Sequence, residues 1–286
     1  MTGNLANMEG KLCLITGSTS GIGRETALAL ARLGAHVVLV ARDQQKGEAT
    51  VADIKAQTGN SHVDLLLADL SVQASVRQLA DEFISRYGKL DVLVNNAGAL
   101  LGKRRVSKDG LEYTFALNHL NYFLLTNLLL DRLKASARII NVASEASRMG
   151  GDIDFSDLNL ADGYSSWKAY GRSKLANILF TYELARRLEG TGVTVNAMHP
   201  GGVATNFGTG NNAFMNAAMK LVRPFMLTPA QGADTVVYLA ASPAVEGVTG
   251  KYWAKRKPIP SKPVSYDEVV AKRLWQASVK LTGLAK

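Results

Sequence analysis

Thr16-Gly17-Ser18-Thr19-Ser20-Gly21-Ile22-Gly23-Arg24 stands between an apolar, β-type run at residues 12–15 and an amphipathic, helix-type run at residues 25–32. Three glycines alone occur often by chance. A strand that ends in a glycine turn and feeds a helix is a different matter. Its first backbone N–H groups have no partner in the helix, and the positive end of the helix dipole points at the same spot, which makes an anion site. A pyrophosphate fits there. Gly17 suits the tight turn, Gly21 lets the backbone approach the phosphates, and Gly23 lets helix and strand pack closely. The backbone from Gly17 to Gly23, with Ser18, Thr19, Ser20 and Ile22, is therefore the candidate phosphate cradle.

The chain then alternates short β-branched apolar runs with mixed-charge, helix-type runs. Strands are expected at residues 36–41, 64–68, 90–94, 138–143, 193–198 and 250–253, and this βαβαβα order requires a doubly wound parallel sheet. The second strand closes with Ala41 and Arg42, about twenty residues after the glycines, where an NAD site places an acid on the ribose 2′-hydroxyl. A guanidinium there pairs with a 2′-phosphate and argues for NADP(H), with NAD(H) the lesser alternative. Asp43 competes for that place, because a small backbone shift hands it the NAD role. At the end of the third strand come Asp69, Leu70 and Ser71; the aspartate or the serine suits the cap of the next helix. The fourth strand runs into Asn95-Asn96-Ala97-Gly98. There two amides can tie neighbouring loops together while two small residues leave room for a flat adenosine.

With Thr16 and the glycine spacing, that tetrapeptide resembles the signature of the short-chain dehydrogenase/reductase family. The resemblance implies a Rossmann-type parallel sheet of about seven strands, ordered 3-2-1-4-5-6-7, with helices on both faces in a single domain. It also implies that Asp69, beside Leu70, accepts a hydrogen bond from the adenine amino group, and that Asn96, Ala97 and Gly98 border the cofactor. A long helix is expected over residues 111–133. In the family an Asn at the place of Asn118 interrupts this helix and holds a water in the proton relay. His119 reads as a packing or surface residue.

Ser144 falls just past the fifth strand, at the crevice where open α/β sheets bind ligands. Two Tyr-x-x-x-Lys matches follow, Tyr164 with Lys168 and Tyr170 with Lys174. A spacing of four puts both side chains on one face of a helix, so the pair needs a helix under it. Residues 170–188 supply one. Tyr164 follows Asp162-Gly163 in a loop-like stretch and is assigned to the pocket rim or to packing. The run from Tyr170 through Lys174 to Asn177 also resembles the family's active-site helix, making Asn118, Ser144, Tyr170 and Lys174 the expected catalytic set. When a hydride moves between a nicotinamide and a carbonyl carbon, a proton must reach or leave the oxygen. A phenol with a reference pKa near 10 needs a nearby positive charge to act as a base, and the Lys174 ammonium together with the positive nicotinamide of the oxidised cofactor is expected to favour the phenolate. Lys174 also suits the nicotinamide ribose hydroxyls, and Ser144 suits the substrate oxygen where charge develops.

The sixth strand leads to His199-Pro200-Gly201-Gly202-Val203-Ala204-Thr205. This resembles the family's Pro-Gly turn and implies cofactor contacts from Pro200, Gly201, Val203 and Thr205. Residues 206–229, rich in Met and Phe, read as an apolar lid or as a core helix. His-Pro-Gly, Gly250-Lys-Tyr and the late Arg273-Leu-Trp resemble the retinol dehydrogenase-like branch, and a C-terminal extension is expected over residues 254–286.

At 286 residues, 47% hydrophobic and 20% charged, the composition suits a globular α/β domain. The single cysteine, Cys13, has no intrachain partner and reads as a buried packing residue. The net charge of +9 is scattered apart from a group at Lys251, Lys255, Arg256, Lys257 and Lys262. No basic helix interleaved with aromatics and no zinc-ligand spacing accompanies it, so nucleic acid and metal are not expected. Weak contact with a membrane surface is compatible with the basic group and the apolar lid. No apolar run reaches the roughly eighteen residues that span a bilayer, and the expected location is cytoplasmic. The leading reading is a carbonyl reductase-type, NADP(H)-linked oxidoreductase for a small apolar alcohol, aldehyde or ketone; the alternative is a nucleotide-sensing or scaffold protein without turnover. Family habit places a homodimer interface on the helices at residues 111–133 and 170–188.

Overall fold

Successive strand residues point to opposite faces of a sheet, so a strand covered on both faces must be apolar throughout. The computed structural model, which describes residues 5–203 and 226–284, has this arrangement. β1 (Leu12–Thr16), β2 (His36–Ala41), β3 (Val63–Leu67), β4 (Leu90–Asn95), β5 (Leu133–Val142), β6 (Thr194–Met198), β7 (Lys251–Ala254) and β8 (Lys257–Pro258) form one sheet. Its order is β3-β2-β1-β4-β5-β6-β7-β8. Seven strands are parallel, as expected; the eighth, a two-residue strand running antiparallel to β7, adds to the expected count. It forms because Lys255 and Arg256 take up positive φ angles and turn the chain back on itself.

The helices are α1 (Gly21–Arg32), α2 (Gln44–Thr58), α3 (Gln73–Arg86), a composite α4 over residues 113–129, α5 (Ser166–Arg187), α6 (Pro229–Ala241) and α7 (Glu268–Thr282). Leu14, Val38, Leu93 and Ile139 face one side of the sheet and pack with Phe83 of α3, Phe123 of α4 and Phe180 of α5. Their neighbours Cys13, Val37, Val92 and Ile140 face the other side and pack with Leu30 of α1, Ile54 of α2 and Val236 of α6. Burial of Cys13 among these residues pushes its thiol pKa up, which fits the packing role.

Two helices depart from the expected outline. The run at residues 111–133 is not one helix: Glu112, fully buried, caps a short α turn, Tyr113–Phe115, by accepting from Thr114 N and Phe115 N at 2.9 and 2.7 Å. A π segment, Ala116–Leu120, and an α run, Asn121–Leu129, complete α4. β5 then begins at Leu133, five residues before the expected strand, because its first half is the exposed edge of the run and lacks apolar patterning. α5 begins at Ser166 rather than near Tyr170.

α7 crosses the outer faces of α4 and α5. Leu274 and Ala271 pack with Phe115, Leu175 and Leu179. The Trp275 ring lies 4.9 Å from Phe123 and 5.9 Å from Phe180, and the Arg187 guanidinium lies 4.0 Å above it. The two helices on which family habit places a dimer interface thus each carry α7 of the same chain on one face.

Candidate active site

In an open parallel sheet the crevice opens where strand order reverses, here between the carboxyl ends of β1 and β4. Gly17 adopts φ +64°, and a Cβ there would lie 2.8 Å from Ala97 Cα. A Cβ on Gly23 would lie 2.3 Å from Gly17 O and 2.5 Å from Asn96 Nδ2. Gly17 therefore makes the turn, as expected, while Gly23 packs on the turn itself and on the loop after β4. Gly21 has φ +56° and opens α1, whose N-cap Ser20 makes no side-chain cap bond, so the first N–H groups of the helix stay available to a ligand. Thr16 Oγ1 donates to Val94 O at 3.2 Å and accepts from Asn96 N and Ala97 N at 2.8 and 3.1 Å. Asn96 Nδ2 returns bonds to Thr16 O and Gly17 O, and Ser18 Oγ donates to Val40 O at 3.3 Å. Three strand ends are thereby locked into one cradle whose glycines leave no room for side chains, and the residues present fit a dinucleotide.

Arg42 is exposed at the end of β2, its guanidinium 3.4 Å from the Tyr113 hydroxyl. Its competitor Asp43 is the N-cap of α2 and accepts from Lys46 N at 3.0 Å. Asp69 does not cap α3, whose N-cap is Val72; its carboxylate accepts from Ser71 N and Ser71 Oγ at 3.0 and 2.6 Å, with Leu70 buried alongside. The loop after β6 reaches the cradle as well: a Cβ on Gly232 of α6 would meet Val203 at 2.7 Å and Ile22 at 3.2 Å. Pro200 and Gly201 precede Val203 in that loop. Thr205, and the expected lid up to residue 225, lie outside the described residues.

Ser144, Tyr170 and Lys174 converge past the carboxyl end of β5. Tyr170 and Lys174 lie on one face of α5, both buried, with Lys174 Nζ 5.7 Å from the Tyr170 ring centre. The Ser144 side chain lies close enough to the Tyr170 hydroxyl to favour its charged form. Lys174 Nζ donates to Val142 O at 2.8 Å, which ties it to the end of the strand. Burial pushes Tyr170 up to about 12 against the lowering effect of Ser144, and burial pulls Lys174 down to about 7. In the protein alone burial works against the ammonium and the phenolate alike, which leaves the larger share of the expected phenolate stabilisation to the positive nicotinamide of the oxidised cofactor.

Asn118, fully buried in the π segment, joins three parts of the site. Its Oδ1 accepts from Ala99 N at 2.8 Å, and its Nδ2 donates to Ala99 O and Ser173 Oγ, both at 3.0 Å. A Cβ on Gly98 would lie 3.1 Å from Asn118 Oδ1 and 3.5 Å from Lys174 Nζ, so Gly98 keeps this meeting point open. Tyr164 lies before the first turn of α5, which carries Lys168, and its hydroxyl donates to Leu101 O at 3.2 Å. That pair does not share a helix face; Tyr164 packs against the loop after β4.

Several supporting residues carry no motif. A Cβ on Gly171 would meet Ala146 O and Gly150 Cα at 2.6 Å, so only glycine lets α5 approach the turn that presents Ser144. His199 bridges the same turn to the Pro-Gly loop: Gly201 N donates to its Nδ1 at 3.2 Å and its Nε2 lies 3.1 Å from Glu145. The glycine's position directly after Tyr170 was the available signal; for His199 the Pro-Gly context was the only one. Among the described residues no group of His, Cys, Asp and Glu could hold a metal, and no helix is long and apolar enough to cross a membrane.

A family model described as short chain dehydrogenase matches residues 11–216. Human retinol dehydrogenase 13 is 44% identical over 287 residues, covering 98% of this chain and 86% of that protein, and human retinol dehydrogenase 14 is 44% identical with coverage of 98% and 88%. Among solved structures, a short chain dehydrogenase from Burkholderia cenocepacia in complex with NADP superposes with a TM-score of 0.69 at 27% identity, covering 86% of this chain and 96% of that one. The angucycline C-6 ketoreductase LanV with bound NADP gives 0.70 at 26%, with coverage of 86% and 94%.

Proposed function

The chain belongs to the short chain dehydrogenase family, in its retinol dehydrogenase-like branch, and is an oxidoreductase; from that premise we propose that it moves a hydride between NADP(H) and an apolar alcohol, aldehyde or ketone. The observation that carries this reading is the contact between Tyr170 and Ser144 with Lys174 on the same helix face. The nicotinamide, when bound, supplies or accepts the hydride. Everything else falls to this chain. Ser144 hydrogen-bonds the substrate oxygen as charge gathers there. Tyr170, protonated at neutral pH, gives its phenolic proton to that oxygen in reduction and takes one back in oxidation. Lys174, pulled down to about 7, sits close to neutrality and can pass a proton on from the ribose side of the site toward Tyr170. Asn118 holds the loop after β4 against α5 so that these groups keep their spacing.

The NADP(H) preference is supported by the pair at the end of β2: Arg42 is exposed and Asp43 is engaged as a helix cap. Two similar solved structures are described as holding NADP. Following NADPH consumption by the purified protein across a panel of apolar aldehydes and ketones tests the reading. Carbonyl-dependent oxidation of NADPH is expected; none with any carbonyl, and no reduction of NADP+ by any of the corresponding alcohols, despite measurable NADPH binding, would support the sensing alternative.

A further inference from the structure

His119 sits next to the catalytic-site Asn118, fully buried, with polar partners at both ring nitrogens. Nδ1 lies 3.2 Å from Asn177 Oδ1 on α5, and Nε2 lies 3.0 Å from Ser278 Oγ on α7. Asn177, also fully buried, donates from Nδ2 to the Asn118 main-chain oxygen at 2.8 Å. These bonds fix their own direction. Because Nδ2 of Asn177 faces a carbonyl, its Oδ1 faces the imidazole and can only accept. His119 must therefore carry its proton on Nδ1. Burial pulls its pKa down to about 4, so near neutral pH it holds a single proton and Nε2 is an acceptor. The single proton of the Ser278 hydroxyl has two acceptors in reach, Leu274 O at 2.9 Å and this Nε2 at 3.0 Å; Leu274 O already accepts within the helical ladder of α7, whereas Nε2 has no other donor, which assigns the proton to the ring.

We propose that Ser278, His119 and Asn177 form a one-way hydrogen-bond chain through which the C-terminal helix holds the Asn118 backbone in place for proton transfer at Tyr170 and Lys174. Every donor in it points toward the site: Ser278 to His119, His119 to Asn177, Asn177 to Asn118. Buried bonds aligned in this way polarise one another, and removing one weakens the rest. The receiving end lies in the π segment, where the regular helical ladder is broken and the backbone depends on side chains for its position. The three residues are positioning residues, since none touches the reacting atoms, and the proposal rests on the oxidoreductase reading above.

The test compares two conservative changes on α7. Ser278→Ala removes the first donor. Thr282→Ala also loosens α7, but its hydroxyl bonds only the Ser278 and Val279 main-chain oxygens and has no link to His119. With NADPH and an accepted carbonyl, Ser278→Ala should lower kcat about 3- to 10-fold while leaving KM and the NADPH Kd within about twofold. Thr282→Ala should lower Tm comparably and leave kcat unchanged. Equal effects of the two variants on kcat, or no effect of Ser278→Ala, would overturn the proposal. Nitrogen NMR of the cofactor-free protein gives a readout that needs no turnover: His119 should be protonated on Nδ1 and should not titrate between pH 5 and 8. A proton on Nε2 or titration in that range would also overturn it. Absence of turnover in the wild type would instead sink the oxidoreductase reading and leave the tautomer result standing.

Discussion

Arg42 and Asp43 are adjacent, but their bonds separate them: the carboxylate is spent on Lys46 N at the start of α2, while the guanidinium faces solvent beside Tyr113. An exposed guanidinium at this strand end adds charge-assisted bonds to a 2′-phosphate and nothing comparable to a 2′-hydroxyl. Calorimetric titration should therefore show NADP(H) binding at least about tenfold more tightly than NAD(H), equivalent to about 1.4 kcal/mol, with Arg42→Ala erasing most of the difference. Equal affinities would return the position to Asp43. The residue types of the site were legible because their chemistry is narrow. Glycine is needed where a Cβ finds no space, and Tyr-x-x-x-Lys needs a helical face. Protonation was not legible, because it depends on burial: the residue type announces an ordinary ammonium, and desolvation pulls Lys174 down to about 7.

The elements that hold the site are less evident from the sequence than the strands beneath it. Apolar runs such as His36–Ala41 announce a buried strand on their own. The π segment of α4 does not announce itself, since Ala116–Leu120 has an ordinary helical composition and the widening depends on the bonds of Asn118 to Ala99 and Ser173. The start of α5 was likewise hidden, because Ser166–Lys168 carry no apolar periodicity and the first turn is tied down by Ser166 Oγ, which donates to Gly102 O. Gly171 shows how an element boundary becomes a functional requirement. Gly171→Ala would drive a methyl into Ala146 O and Gly150, so α5 must withdraw from the turn that carries Ser144. Turnover should fall by roughly 10²-fold or more, the loss expected when one donor to the developing charge is displaced, while NADPH affinity falls much less, because the cradle lies on β1 and β4 and only the ribose contact expected of Lys174 moves with α5. Loss of NADPH binding as well would mean that the helix carries the whole site with it.

For the whole molecule, the position of α7 decides two properties. It buries Phe123 and Phe180 under Trp275 and draws its own C-terminal end to α3, where Gln73 and Arg77 donate to Leu281 O, Thr282 O and Gly283 O. With that face covered, the intact protein should elute with the light-scattering mass of one chain, whereas deletion of residues 268–286 should cause association. A stable dimer of the intact chain would place its interface elsewhere. A docked terminal helix is a property of this chain's own α4, α5 and α7 together, and no short motif encodes it.

The same molecule sets its most polar catalytic group in a dry interior, at a cost to stability. Lys174 titrates at about 7 in the folded state against about 10.5 unfolded, so between those values the unfolded chain holds more protons and stability rises with pH. Below pH 7 both states are protonated and the burial penalty is complete. Lys174→Met should thus raise the Tm of the cofactor-free protein by about 2 °C or more at pH 6, a gain that fades as pH approaches 10. A gain that grows with pH would contradict the assigned direction of the shift.

All of these features serve one claim, that Tyr170 delivers the proton in a hydride transfer supported by Ser144 and Lys174. Its most direct test is the turnover of Tyr170→Phe beside Tyr164→Phe, with NADPH, an accepted carbonyl substrate and a separate measurement of NADPH affinity. The account predicts that Tyr170→Phe binds NADPH like the wild type and loses roughly 10²-fold or more in kcat, while Tyr164→Phe stays near normal; near-normal turnover by Tyr170→Phe would contradict it.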